Sequence, residues 1–478
     1  MTMDGVERNV MAQKLNRRMV LGGLAALPAC RASGSKLNAE VIILGAGLAG
    51  LHAARLLSAE GKDILVLEGA SRIGGRLHTL DHGNLSYTEG GGEQIGASYA
   101  RLIDTARQLD VDLIPDAPNR RETTYHFQGG TYTPADWKTL TPPPFPPPFE
   151  GGNPSAPLFA LASKGNPLKS SGDWLDPKFL PFDISAQEFL SQAGFNGDAQ
   201  KVIEQALNGN SLRSYSMMNL YRTLQLYAQS RGMGASLSVK NGAQRLPEAM
   251  AASLPRKVRL EQMVKSISVE AESVLIETAN GKTYRGAQCI CSLPFGALRH
   301  ISIKAFMPDA QSSAIRELPY TQILQIHLKA KTPFWEADGL PADMWTDLPI
   351  ERIFADRDDD GSPNGLFRVW INGRGATRSI WADRTKISER VSAYMKTVRP
   401  ASEGQFDVLA VQDWTKTNAL AGGAYMHWAP RQIGQWADSI AAPSSRLAFA
   451  GEHLSRLHTG MEGAMESGEN AAFYLLDI

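Results

Sequence analysis

Hydrophobic and polar positions change their period several times along this chain, and one block sets the frame for the rest. Val41-Ile42-Ile43-Leu44 is an unbroken apolar run with three β-branched residues, which predicts a strand buried on both faces. Gly45, Gly47 and Gly50 then turn the chain into a helix that starts near Leu48. Residues 63–67 predict a second strand, and Glu68 ends it, eighteen positions after Gly50. Further on, Val264–Val269, Ser273–Glu277, Thr283–Arg285 and Ile290–Leu293 have the composition of strands, with Val258-Arg259-Leu260 a shorter one. Asn280-Gly281 marks a hairpin turn. Residues 184–230 follow a helical pattern that puts Leu220 and Leu224 on one face. Near the end, Leu447-Ala448-Phe449-Ala450 predicts a strand, Gly451-Glu452 a turn, and Gly460 to Leu475 a helix. The prolines of Pro142–Phe149 exclude a helix there, and 141–175 is expected to be a long loop, a lid or a contact with a second copy in a homodimer.

The opening block carries chemistry as well as structure. A first glycine makes a tight turn, a second lets backbone approach a pyrophosphate, and a third lets helix pack on strand. The free N–H groups of the helix N-terminus then face the diphosphate, and Glu68 stands where an acid bonds ribose hydroxyls. The motif implies a dinucleotide without choosing between NAD and FAD. Gly69 adjoins Glu68, Gly74-Gly75 lets the backbone run close to the cofactor, and Arg76 offers a charge-assisted bond to a phosphate. Glu89–Gly96 is another glycine-dense run, open to a flat ligand.

Composition narrows the field. A chain of 478 residues implies more than one domain. With 49 basic and 49 acidic residues, it offers no electrostatic footprint for nucleic acid. Cys30, Cys289 and Cys291 cannot form a disulfide framework, no Cys/His spacing suggests a metal site, and Cys289 and Cys291 are expected to be small core residues on one side of a strand. Asp358-Asp359-Asp360-Gly361 lacks the spaced ligands of a calcium loop and is expected to be a solvated turn. At the start, Arg17-Arg18 precede the short apolar stretch Met19–Leu27, a pattern similar to a twin-arginine export signal. Leu27-Pro28-Ala29-Cys30 resembles a lipoprotein cleavage box, which would anchor the chain through a lipid on Cys30; an ordinary cleavage site is the alternative. The expectation is an exported, periplasmic protein, with a cytoplasmic one as alternative.

Taken together, Gly45–Gly50, Glu68, Gly74-Gly75-Arg76, Leu293-Pro294, Pro333-Phe334-Trp335, Gly422-Gly423-Ala424-Tyr425 and Gly451-Glu452 with Gly460–Gly468 resemble the flavin-containing amine oxidases. That superfamily includes monoamine oxidases, polyamine oxidases and L-amino acid oxidases. The resemblance implies FAD and an α/β (α+β) two-domain flavoprotein. Its Rossmann-like FAD-binding domain would comprise 40–100, 236–300 and 408–478, interleaved with a substrate-binding domain of 101–235 and 301–407, after an export segment 1–39. It implies oxidative deamination of a small-molecule amine by hydride transfer to the flavin, with O₂ or another acceptor taking the electrons. A dehydrogenase or desaturase of the same fold and an L-amino acid oxidase are the alternatives.

By the same resemblance, Gly45, Gly47, Leu48, Ala49 and Gly50 would meet the diphosphate, Glu68 the ribose and Arg76 a phosphate. Gly91 and Gly92 would lie along the flavin and Val264 against adenine, while Glu452, Gly460 and Met461 would complete the site. Tyr425 would wall the amine. Four departures from the family pattern stand out. Ala424 replaces the cysteine that bonds FAD covalently in monoamine oxidases, which implies noncovalent FAD. Gly460 replaces the second tyrosine that flanks the amine, and Gln94 replaces the arginine that holds the carboxylate in L-amino acid oxidases. Gln325 falls at the position of a lysine near the flavin, with Lys329 or Lys331 as candidates if the alignment slips by a small gap.

Overall fold

A computed structural model describes residues 37–83, 87–116, 122–358 and 360–477. The proposed export signal and Cys30 lie outside the described residues. The apolar run at the start forms strand β1 (Ala39–Leu44), helix α1 is Leu48–Ala59, and the next run forms strand β2 (Ile64–Leu67). β1 and β2 pair in parallel, Val41 opposite Ile64 and Leu44 opposite Leu67. Both strands are buried on both faces, which is why their sequences do not alternate.

They belong to a seven-stranded sheet. Its order is Ser302–Lys304, Val264–Val269, Val274–Thr278, Thr283–Cys291, β1 and β2, with Leu447–Phe449 joined in parallel to Thr283–Cys291. The hairpin closes where Asn280-Gly281 predicts it, with Glu277 opposite Thr283 and Gly281 at φ +80°. The expected strand Thr283–Arg285 and the first two residues of the expected strand Ile290–Leu293 are parts of one continuous strand, Thr283–Cys291, which ends before Ser292. Cys289 and Cys291 are fully buried in it. Residues 258–260 do not form a strand; Arg259 makes a single bridge to Leu67.

A second seven-stranded sheet is built from later segments. Its order is Phe406–Trp414, Ile323–Ala330, Pro363–Asn372, Arg352–Arg357, Asp343–Thr346, Thr123–Phe127 and Gly130–Tyr132, antiparallel except for one parallel pair, Asp343–Thr346 with Thr123–Phe127. The last helix, Gly460–Leu476, runs against α1 so closely that a Cβ on Gly468 would fall 2.3 Å from the Ala49 carbonyl oxygen. The 184–230 region holds helices Ala186–Gln192, Gly197–Glu204 and Met217–Gln229, and Leu220 of the last is buried.

The 141–175 stretch corrects the expectation of a loop. It contains a nine-residue helix, Ala156–Lys164, with Pro157 in its first turn, where a missing N–H costs nothing. Phe145, Leu158, Ala162, Leu168 and Trp174 are all buried in one core cluster, so the segment is packed into the body of the protein.

Candidate active site

The turn after β1 opens a cavity of about 870 Å³. Gly45 sits at φ +100°, and its N–H donates to the Leu67 carbonyl at 2.8 Å, which ties the turn to the end of β2. Gly47 caps α1 in an extended conformation with no side chain bonding the first amides. Those N–H groups are free to meet an anion. The Glu68 carboxylate is buried and accepts from the Ala46 N–H at 2.7 Å and the Ala70 N–H at 2.8 Å. One bond on each oxygen fixes the group and leaves acceptor capacity for ribose hydroxyls.

Gly45, Gly47, Ala49, Glu68, Gly69, Arg76, Val264 and Glu452 line this cavity. An uncapped helix end, an acid at the end of the second strand and a cavity of ligand size fit a flavin dinucleotide. Gly50 lines neither this cavity nor the next; its part is the close packing of α1 on the turn.

A second cavity of about 200 Å³ adjoins the first, with Arg76, Trp414, Glu452 and Ala464 lining both. Leu48, Gly91, Gly92, Gly460, Met461, Tyr425 and Gln325 line it, together with Ile323 and Trp370. At the junction, Arg76 donates to Glu452 Oε1 at 2.8 Å and to the Ala424 carbonyl at 3.0 Å. Burial alone would lower the guanidinium pKa, but Glu452 outweighs it and the pKa is raised. Glu452 Oε1 also accepts from the Met426 N–H at 3.1 Å, so one carboxylate fixes both the arginine and the segment that carries Tyr425.

Gln325 is buried on strand Ile323–Ala330, between Gln412 and Trp370 on the neighbouring strands, and its Oε1 has no partner among the described residues. Lys329 donates to the Asn364 carbonyl and Lys331 pairs with Asp407, and neither lines the cavity. The structure therefore places glutamine, and neither lysine, at the cavity.

Gln94 departs from its expected place. It is exposed and lines a separate cavity of about 280 Å³, where its amide donates to Asp116 and Ser236, both at 3.2 Å. Alternation explains the result, because Ile95 between its neighbours points into the core and Gln94 points away.

Several site residues carry no sequence signal of their own. Trp370 reaches the cavity because its strand pairs with Gln325, a register that no local pattern encodes. Glu466, in the last helix, accepts from the N–H groups of Arg456, Leu457 and His458 at 3.0, 3.1 and 2.9 Å and from Ser455 Oγ at 2.7 Å. Burial would raise its pKa, but these bonds and His458 bring it down to about 2. An ionised Glu466 thus holds the loop that delivers Gly460 and Met461.

A family model for flavin containing amine oxidoreductases matches residues 48–476. The chain is 25% identical over 453 residues to a flavin-containing amine oxidase of Danio rerio, covering 91% of this chain and 85% of that one. It is 23% identical over 462 residues to flavin-containing amine oxidase B of Homo sapiens, covering 91% and 86%. Among solved structures, cyclohexylamine oxidase from Brevibacterium oxydans IH-35A superposes with a TM-score of 0.73 at 19% identity, covering 92% of this chain and 99% of that one. Putrescine oxidase bound to putrescine gives 0.73 at 17%, covering 92% and 99%. These likenesses identify the fold as that of the two-domain α/β flavoproteins. FAD is held noncovalently: Ala424 has no thiol to offer, and Cys289 and Cys291 are fully buried. Acid precipitation should leave all flavin colour in the supernatant, and colour retained in the pellet would refute this. This chain belongs to the flavin-containing amine oxidoreductases and is an FAD-dependent enzyme that oxidises amines.

Proposed function

We propose that the 200 Å³ cavity is where the amine meets the flavin ring and that its amine site takes a compact amine without an α-carboxylate. The observation that carries this is its lining. Ile323, Trp370, Trp414, Tyr425 and Met461 supply hydrocarbon and aromatic surface, and the single cation, Arg76, is already paired with Glu452. A carboxylate buried there would find no free guanidinium fork to offset its desolvation. Cyclohexylamine and putrescine, named for the two similar structures, carry no carboxylate either.

FAD held by the residues of the dinucleotide cavity would supply the two-electron acceptor for the hydride of the amine-bearing carbon. The residues of the chain prepare that transfer. The Tyr425 ring and its apolar neighbours desolvate the nitrogen and favour the free amine over ammonium. Burial first, with Glu452 adding to it and Arg352 opposing, raises the Tyr425 phenol, so the hydroxyl stays neutral. Gln325 offers an unpartnered amide oxygen that would orient a water molecule. The imine released by oxidation then hydrolyses to an aldehyde or ketone and ammonia.

The test is anaerobic mixing with primary amines, polyamines and L-amino acids while following the flavin absorbance, then admission of air and assay of H₂O₂. Bleaching by apolar amines but not by amino acids is the expected result. Bleaching by L-amino acids would overturn the proposal.

Gln325 favours a second reading for the acceptor. An amide cannot supply the positive charge of the usual lysine, which would slow reoxidation by O₂ and suit another electron acceptor. Gln325→Lys should speed reoxidation of the reduced flavin by roughly tenfold, the effect of about 1.4 kcal/mol of added charge stabilisation. An unchanged reoxidation rate in stopped flow would remove Gln325 from this role.

A further inference from the structure

Gly460 lines the amine cavity at φ +58°, at the start of the last helix. A Cβ placed on it would have a single neighbour within 4 Å, the Tyr99 hydroxyl, at 3.7 Å. The space that a side chain at 460 would enter is therefore bounded by Tyr99. Tyr99 also lines the 280 Å³ cavity, beside Thr459, His458 and Tyr227. The phenol thus lines the 280 Å³ cavity and brings its oxygen up to Gly460, which lines the other.

Its position is built rather than accidental. The Tyr99 N–H donates to the Gly96 carbonyl at 2.9 Å, and its ring lies so close to Gly96 that a Cβ there would meet ring carbons at 3.0 and 3.1 Å. Tyr99 precedes helix Ala100–Gln108. The fully buried Glu462, from the first turn of the last helix, accepts from the N–H groups of Arg101 and Leu102 at 3.1 and 3.2 Å. One carboxylate thus clamps the helix that carries Tyr99 to the helix that begins at Gly460.

We infer that Tyr99 forms the second wall of the amine site, in place of the side chain that Gly460 lacks, and closes it against the neighbouring cavity. The inference rests on the proposed amine site. The Tyr99 hydroxyl makes no hydrogen bond among the described residues, so its oxygen is available to a ligand. Burial first, with Tyr227 and Glu462 adding to it, pushes the phenol up to about 12 and keeps it neutral. A neutral oxygen can accept an N–H of the free amine while the nitrogen lone pair stays free to assist loss of the hydride. The same residue sets specificity, because a substituent on the amine that passes Tyr99 would enter the 280 Å³ cavity.

The experiment titrates FAD-loaded protein with tert-butylamine and with the longer tert-octylamine. Neither has a hydrogen on the amine-bearing carbon, so neither is oxidised, and binding is read from perturbation of the flavin spectrum. Tyr99→Phe keeps the ring and should weaken both amines about fivefold, the loss of one hydrogen bond. Tyr99→Ala should weaken tert-butylamine about tenfold or more while shifting preference toward tert-octylamine. A merely structural role would alter flavin content and melting temperature and leave the ratio of the two dissociation constants in place. Unchanged constants and ratio in both variants, with a wild type that does bind these amines, would overturn the role of Tyr99 alone. A wild type that neither binds them nor is bleached by oxidisable amines would overturn the proposed amine site, and this inference with it.

Discussion

Gly50→Ala is expected to give a colourless and destabilised protein. The added Cβ would fall 2.2 Å from the Gly45 carbonyl oxygen and 2.6 Å from Ser292 Oγ. Neither atom is free to retreat. The Gly45 N–H is tied to the Leu67 carbonyl, and Ser292 Oγ donates to the Leu44 carbonyl at 2.6 Å. Relief requires α1 to move away from the turn, which carries the Gly47 end of the helix out of the dinucleotide cavity. Overpacking of this kind costs about 3 kcal/mol or more when backbone is the obstacle. Loss of FAD adds to it, because a ligand bound only by the native state stabilises that state. The ratio of flavin to protein absorbance and the melting temperature measure both effects. A yellow protein with the melting temperature of the wild type would show that the third glycine is not needed for packing.

The same residue shows why part of this molecule is legible in its sequence. β1, α1 and β2 follow from contacts within about thirty residues, and glycine spacing encodes the close approach directly. The hairpin at Asn280-Gly281 is equally local. The second cavity is a different case. Gln325, Trp370 and Tyr425 meet through strand register and loop placement across a hundred residues, and hydrophobic pattern is silent about both. The family resemblance supplied Gln325 and Tyr425 by motif, but it carried no information about Trp370, which reaches the site from a position with no motif of its own. Gln94 illustrates the reverse. It matches a functional position, yet its side chain lies on the far side of Ile95 and in another cavity. The proline run predicted an extended, open loop, and Phe145 within it is buried instead, because proline constrains backbone shape without deciding which neighbouring aromatics enter a core.

Tyr425→Ala is expected to lower kcat/KM by tenfold or more while the protein keeps its FAD. The backbone of this segment does not depend on the ring. The Thr321 N–H donates to the Tyr425 carbonyl at 2.7 Å, the Ala424 N–H donates to the Thr321 carbonyl at 2.8 Å, and the Met426 N–H reaches Glu452, all of which an alanine preserves. The residues that would hold the diphosphate and ribose line the larger cavity, which Tyr425 does not touch, so flavin content should stay close to that of the wild type. What is lost is the aromatic wall of the smaller cavity. Removing one aromatic contact costs about 1.5 kcal/mol, or roughly tenfold, and admission of water adds to it by restoring solvation of the ammonium form. Because the free amine is the reactive form, the wild-type rate should rise with pH through the pKa of the substrate. The variant should need a higher pH to reach the same fraction of its own maximum. Tyr425→Phe, which keeps the wall and removes only the hydroxyl, should retain most of the activity. If Tyr425→Ala turned over at the wild-type rate with an unshifted pH profile, the ring would be packing and nothing more, and desolvation of the amine would have to come from Trp370 and Trp414, which also line the cavity.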